Sequence, residues 1–255
     1  MLWYNELATY VQSRISDQDW RPLLGGSHIA LASRPKTVDT LRQKLVRLGS
    51  NYHIGSLQDV AGVRFECAMT TADQDAVVQA ISGLFSDVAE VAVDDLRESP
   101  HSGYRAVHVI LNFPARGKVE VQVRTHLQGQ WANMFERAAD VVGREIRYGV
   151  LPEDDTSVDI VKSLISMSTI EIANLEVILH GTQEWELIMD EMKQSASNLG
   201  LNRDQKFMHS IAQREDRLHG YQERAARAEE ALRERIAEVK AIFESMQVRL
   251  RGVEE

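Results

Sequence analysis

Between Lys118 and Arg124 the chain reads Lys-Val-Glu-Val-Gln-Val-Arg, polar and apolar in strict alternation. A period of two belongs to a strand, because successive side chains leave a sheet on opposite faces. The valines demand a buried layer behind them, and the row Glu120, Gln122 and Arg124 is left on the other face. Such a strand needs partners for its backbone N–H and C=O groups. Val-rich segments at 57–68, 88–94 and 104–113, bounded by Gly, Asp, Pro or Ser, are candidates, as is a short apolar run at 28–33. Helical periodicity falls between and around them. Leu2, Leu7, Val11 and Ile15 mark residues 2–18; Val38, Leu41, Leu45 and Leu48 mark 37–48; Ala76, Val77, Ala80, Ile81 and Leu84 mark 72–85; a further helix is expected at 126–147. The expected class is α/β in the α+β sense, a mixed sheet flanked by helices.

After Gly149 and Pro152 the pattern changes. Strand-like alternation stops and apolar residues recur at three and four. Residues 155–195 read as one helix interrupted at Gly181, and Ser195–Arg203 as a turn. A second helix then carries Leu218, Tyr221, Ala225, Ala228, Leu232, Ile236, Val239, Phe243, Met246 and Leu250 at coiled-coil-like spacing, with a stutter at 228–232–236. A 40-residue helix is about 60 Å long, too long for a small domain to cover. A long C-terminal α-helical hairpin that packs on itself or on a second copy is therefore expected, with a homo-oligomer formed through these helices. The expected divisions are an N-terminal helix packing on the core (1–24), the sheet domain (25–150) and a helical, coiled-coil extension (151–255).

Charge follows the same division. Residues 1–150 hold 16 Lys+Arg against 17 Asp+Glu, and residues 151–255 hold 13 against 21. The acidic second part argues against broad adhesion to nucleic acid or to anionic lipid. One cysteine, Cys67, excludes an intramolecular disulfide and suits a reducing compartment. No run of eighteen apolar residues exists to span a bilayer, and Met1-Leu-Trp-Tyr-Asn-Glu resembles no signal peptide. A cytoplasmic address is the expectation. There is no G-x-x-x-x-G-K-[ST] loop, and no His-Asp pair of the kind that marks metal-dependent phosphohydrolases.

Four segments carry chemistry-bearing side chains. Lys36, Thr40 and Lys44 recur every four residues along one face of the 37–48 helix, with Arg34 just before them, a stripe suited to phosphates. Asp59 opens an apolar strand and suits a hard cation such as Mg²⁺; Gly62 permits close approach and Arg64 follows. In Gly103-Tyr104-Arg-Ala-Val-His108, strand alternation would put Tyr104 and His108 on one face with the small Ala106 between them, leaving room for a flat ring. Glu120, Gln122 and Arg124 would aim a carboxylate, an amide and a guanidinium into one cleft. Taken singly, each pattern also fits an ordinary element: a solvated helix face, a capping aspartate, a core-edge aromatic, an exposed edge strand.

Together, in this order and spacing, the four resemble the synthetase domain of RelA/SpoT-type alarmone synthetases. Arg34-x-Lys36-x-x-x-Thr40-x-x-x-Lys44, Asp59-x-x-Gly62-x-Arg64, Gly103-Tyr104-x-x-x-His108 and Glu120-Val-Gln122-Val-Arg124-Thr125 follow that family's motifs over about half the chain. The resemblance implies a nucleotidyltransferase-like domain that moves the β,γ-pyrophosphate of ATP to a ribose 3′-hydroxyl, with Mg²⁺ as cofactor. It implies that Arg34, Lys36, Thr40, Lys44 and Arg64 bind ATP, and that Asp59 and Glu120 hold the metal. Glu120 would act as base, and Tyr104, His108, Gln122 and Arg124 would bind the acceptor. GDP or GTP is the implied acceptor, giving (p)ppGpp.

Two departures lie on the acceptor side. Many members carry Pro-Lys-x-Asn before the Gly-Tyr pair, where this chain has Pro100-His101-Ser102. After the Arg-Thr pair, Trp131 and Glu136 fit the pattern, but Arg137 stands where members often have His. Two further readings therefore stay open. One is a toxic relative that modifies the tRNA 3′ end or an adenine nucleotide and is neutralised by an antitoxin. The other is a non-catalytic nucleotide-binding scaffold.

Overall fold

A computed structural model describes the chain over residues 2–35 and 61–251. The backbone divides into two compact units, residues 1–132 with 144–151, and residues 133–143 with 152–255. The first is built on a five-stranded sheet, β1 (Ile29–Pro35), β2 (Ala61–Cys67), β3 (Glu90–Asp95), β4 (Val107–Phe113) and β5 (Gly117–Thr125), in the order β1-β2-β5-β4-β3. Among the described residues only the β2–β5 pairing is parallel and the others are antiparallel, so the sheet is mixed as expected.

The alternating sequence of β5 does what its period requires. Val119, Val121 and Val123 are fully buried beside Ala61, Val63 and Phe65 of β2 and Val109 and Leu111 of β4. Helix α1 (Leu2–Ser16) closes this layer with Leu7, Ala8, Val11 and Ile15. The 72–85 periodicity appears as α3 (Thr71–Phe85), following the short α2 (Arg21–Leu24), and adds Val77, Val78, Ile81 and Phe85 to the same core. A capping box starts α3: the Asp73 backbone N–H donates to the Thr70 hydroxyl, and the Thr70 N–H donates to the Asp73 carboxylate. Phe85 meets Phe113 edge-on at 6.2 Å, as aromatic quadrupoles favour. With most of its apolar weight on one side, the sheet leaves the opposite face of β2, β4 and β5 largely to polar side chains, Ile110 aside. Helix α4 (His126–Val142) leaves directly from β5, and a 3₁₀ turn (Arg144–Tyr148) takes up the end of the expected 126–147 helix. The helix expected at 37–48 lies outside the described residues.

The second unit is helical. α5 (Asp155–Ser166), capped by the Asp154 carboxylate on the Ser157 N–H, runs through a π-helical turn at Met167–Ile172 into α6 (Ala173–Asn198). The expected interruption at Gly181 is absent; the irregularity sits at 167–172, where the π turn buries Met167, Ser168 and Ile172. Gly181 lies in open helix, with nothing within 4 Å of where its Cβ would stand. Gly200, at φ 70°, ends α6 in the left-handed region, and α7 (Gln205–Arg251) returns antiparallel. Ion and hydrogen-bond pairs step in opposite directions along the two helices: Lys193 with Glu215, Gln222 with Glu186, Arg235 with Glu171. The buried seam of α7 is Ile211, Ala225, Leu232, Ile236 and Phe243, so the four-residue step at 232–236 is kept. Tyr221, Ala228 and Met246, expected in that seam, are exposed, because the facing helix covers a narrower row than a full heptad face. Arg137 of α4 pairs with Glu244 of α7 at 3.5 Å. No helix among the described residues is long and apolar enough to cross a membrane.

Candidate active site

Strand register assembles the polar face. Gly62, Arg64 and Glu66 of β2 lie beside Glu120, Gln122 and Arg124 of β5, in that order. On the other side of β5, Ile110 pairs with Glu120 and His108 with Gln122. Arg64, Gln122 and His108 thus form one row across three strands, and Gly62, Glu120 and Ile110 the next. Backbone pairing of Arg34 with Gly62 brings the end of β1 into that second row.

Tyr104 reaches this face from a tight turn and not from a strand. β4 starts at Val107, so the expected strand alternation from Tyr104 to His108 does not hold. Ser102 (φ 51°) and Gly103 (φ 81°) both take left-handed conformations, which lets the Tyr104 N–H donate to the His101 carbonyl at 2.9 Å. The turn still delivers the Tyr104 hydroxyl to within 2.9 Å of His108 Nε2.

From there the side chains close a ring. His108 Nδ1 lies 2.6 Å from Glu120 Oε1. Gln122 Nε2 donates to Glu120 Oε2 at 3.2 Å, and Arg124 Nη2 donates to Gln122 Oε1 and to the Tyr104 hydroxyl, each at 2.7 Å. Because Arg124 can only donate, the Tyr104 oxygen accepts from it. A His108 tautomer with its proton on Nδ1 would donate to the Glu120 carboxylate there and accept the Tyr104 proton on Nε2. The ring therefore joins Arg124 to Glu120 along two arms, one through Gln122 and one through Tyr104 and His108. Burial pushes the Tyr104 phenol above its ordinary range, with the Arg124 guanidinium opposing the shift. That guanidinium also lies 4.9 Å from the Tyr104 ring centroid, covering one ring face.

A buried amide pair supports the end of β5. Thr125 and Gln128 form a capping box at the start of α4: the Gln128 N–H donates to Thr125 Oγ1, and the Thr125 N–H donates to Gln128 Oε1. Gln74 of α3, fully buried, donates to Gln128 Oε1 and to the Val123 carbonyl, each at 2.9 Å. Arg97 donates to Gln74, Asp75 and Asp95, and its carbonyl accepts from Arg105. The segment between β3 and the Tyr104 turn is thereby tied to α3. Nothing in the sequence pattern singled out Gln74, Gln128, Arg97 or Glu66. The spacing Thr125-x-x-Gln128 is a readable capping signal, and the alternation Gly62, Arg64, Glu66 extends the polar row by one.

Of the residues expected at a site, Arg64, Tyr104, His108, Glu120, Gln122 and Arg124 lie on this one face. Lys36, Thr40, Lys44 and Asp59 lie outside the described residues. Arg124 is 3% exposed and engaged by neighbouring side chains. Among the described residues no three metal-ligating side chains converge. A single carboxylate such as Glu120 nevertheless fits Mg²⁺, which commonly takes one or two carboxylates and completes its shell with water and substrate phosphates.

Residues 33–139 match a family model described as a region found in RelA / SpoT proteins. Uncharacterised proteins of Mycobacterium tuberculosis and Mycobacterium bovis are each 43% identical over 153 residues, which is 60% of this chain and 54% of theirs. The chain thus spans about half the length of the curated relatives it matches. Among solved structures, small alarmone synthetase 1 from Bacillus subtilis aligns with a TM-score of 0.51 at 18% identity, covering 71% of this chain and 95% of that one. A GTP pyrophosphokinase family protein from Streptococcus pneumoniae aligns with a TM-score of 0.51 at 22% identity, covering 75% and 92%. At these identities the likeness is one of fold.

Proposed function

We propose, for a chain that carries a RelA/SpoT-type region at residues 33–139, that it is an ATP-dependent pyrophosphokinase acting on the ribose 3′-hydroxyl of GDP or GTP. The observation that carries this reading is the Glu120 carboxylate, oriented by His108 on one oxygen and Gln122 on the other, on the same sheet face as Arg64. A sheet face that orients a carboxylate base beside a cation suits transfer of a phosphoryl-type group, where positioning and charge neutralisation supply most of the catalysis.

In this mechanism Glu120 takes the proton of the attacking 3′-hydroxyl. The O3′–Pβ bond forms, the bond from Pβ to the α–β bridging oxygen breaks, and AMP leaves with that oxygen. His108, donating through Nδ1, holds the carboxylate in place. Arg64 draws the phosphates of ATP toward the β2–β5 seam, with Arg34, Lys36, Thr40 and Lys44 completing the ATP side. The acceptor base stacks on the Tyr104 ring face opposite Arg124, while Gln122 and Arg124 keep that ring and the carboxylate in register. Asp59 and Glu120 would hold Mg²⁺, which supplies neutralisation of phosphate charge. A guanine acceptor is supported by the Bacillus subtilis small alarmone synthetase solved with its product pppGpp.

The test is incubation of the purified chain with Mg²⁺ and γ-labelled ATP, offering GDP, GTP, AMP or ADP, and deacylated tRNA separately. Label on guanine nucleotides is the expected result. Label on tRNA or adenine nucleotides would keep the transfer chemistry, overturn the acceptor and point to the toxic relatives. No transfer to any acceptor would overturn the enzyme reading in favour of a nucleotide-binding scaffold.

A further inference from the structure

We propose that Glu66 is a positioning residue for the acceptor side of this site, acting through Arg124, and that it holds its place because position 129 carries no side chain. The kinetic part of this inference rests on the pyrophosphotransfer reading above. Its structural part does not.

Glu66 is the third member of the β2 polar row and the register partner of Arg124. Its Oε1 accepts from Arg124 Nη1 at 3.3 Å, with the two side chains 17% and 3% exposed. The other terminal nitrogen of the same guanidinium reaches Tyr104 and Gln122. A carboxylate on one end of Arg124 therefore fixes the donor that orients the proposed stacking ring and the amide beside Glu120. Removing the carboxylate from a guanidinium this enclosed leaves a buried charge uncompensated, which is costly.

The space for that carboxylate is made by Gly129, inside the first turns of α4. A Cβ built there would stand 2.6 Å from Glu66 Cδ and Oε2 and 3.0 Å from Oε1. Glycine inside a helix is conformationally costly, so a reason for it is wanted. Close approach of the Glu66 carboxylate to the helix backbone is that reason. What a methyl group at 129 would strike is the far end of a flexible side chain. Gly129→Ala should therefore fold, and displace Glu66 from Arg124. Conversely, a carboxylate borne on residue 129 would enter nearly the volume that the Glu66 carboxylate leaves. One carboxylate place facing Arg124 can thus be filled from either element, but not from both.

The experiment compares wild type, E66Q, E66A, G129A and the double variant E66A/G129D in the full chain. KM for the acceptor and KM for ATP are measured separately. E66A and G129A are expected to raise the acceptor KM about tenfold, leave the ATP KM within about twofold, and show E66Q between them and wild type. E66A/G129D is expected to recover most of the loss. An acceptor KM unchanged in E66A, equal changes in both KM values, or no recovery in E66A/G129D would overturn the positioning role. Thermal unfolding of E66A, R124Q and E66A/R124Q reads the contact without any assay of activity. Non-additive shifts support it and additive shifts overturn it. If even wild type transfers nothing, the functional reading fails, while the unfolding cycle still decides whether Glu66 anchors Arg124.

Discussion

His108 Nδ1 stands 2.6 Å from Glu120 Oε1, diagonally across the β4–β5 seam, with the two side chains 11% and 12% exposed. Register makes Gln122 the direct neighbour of His108, so the histidine reaches one row past its partner to meet the carboxylate. Glu120→Gln keeps the size and the contact with Gln122 but removes the base. Transfer should fall by at least about 10², while ATP binding stays within a few-fold. Single-turnover kinetics beside equilibrium ATP binding check both halves, and near-normal turnover in the glutamine variant would remove Glu120 from its proposed role.

Tyr104→Phe probes the ring at its hydroxyl. Arg124 and His108 each lose a partner in a place with little water, which should cost about 1–3 kcal/mol in denaturant unfolding. Burial raises the phenol above its ordinary value. The stability it contributes is therefore whole below the unfolded value of about 10 and is lost as pH climbs through the folded value. Ultraviolet titration of the six tyrosines should show one that ionises later than the rest in wild type and is missing in the variant. Identical titration curves would contradict the enclosed hydroxyl.

Asp95 should govern part of the acid limb of stability. Arg97 donates to it through Nε and Nη2 and holds its carboxyl below the usual carboxylate range. For a depressed value the contribution is present above the unfolded pKa of about 3.9 and disappears as pH falls through the folded one. Asp95→Asn should lower stability at neutral pH by no more than about 1 kcal/mol, since the carboxylate is partly exposed. It should also flatten the loss on acidification. Thermal melts between pH 7 and pH 2 decide it: parallel curves for variant and wild type would leave the Arg97 pair without linkage.

The legible part of this molecule is the part written as period. Alternation in 118–124 placed Glu120, Gln122 and Arg124 on one face of a sheet whose other face is apolar, and the structure places them there. What joins those residues to Tyr104 could not be read that way. The contact depends on Ser102 and Gly103 in left-handed conformations, and turn geometry leaves only a weak trace in composition. The partnership of Glu66 with Gly129 was equally hidden, because it crosses from strand to helix over sixty residues and its sign is a missing side chain. The sequence puts the interruption at Gly181 because glycine is the stronger local signal, whereas the irregular turn lies at 167–172. Packing of Met167 and Ile172 decides the matter instead.

The helical hairpin supplies the last prediction. On α6, Val177 (70% exposed), Ile178, Trp185 (54%) and Ile188 fall within about 100° of the helix circumference at 3.6 residues per turn. A continuous apolar stripe of that kind is uncommon on a monomer, and the acidic balance of residues 151–255 disfavours an anionic lipid surface. Self-association through this stripe is therefore proposed, with a second copy as the occupant. Val177→Lys with Trp185→Glu changes only exposed positions, so helicity by circular dichroism should hold while the mass by light scattering falls to the 28.8 kDa of one chain. Removing residues 203–255 should change the number of chains per particle as well, since α7 covers the other side of α6. A wild type already at one-chain mass, or a double variant that keeps the wild-type mass, would place the assembly surface elsewhere or nowhere.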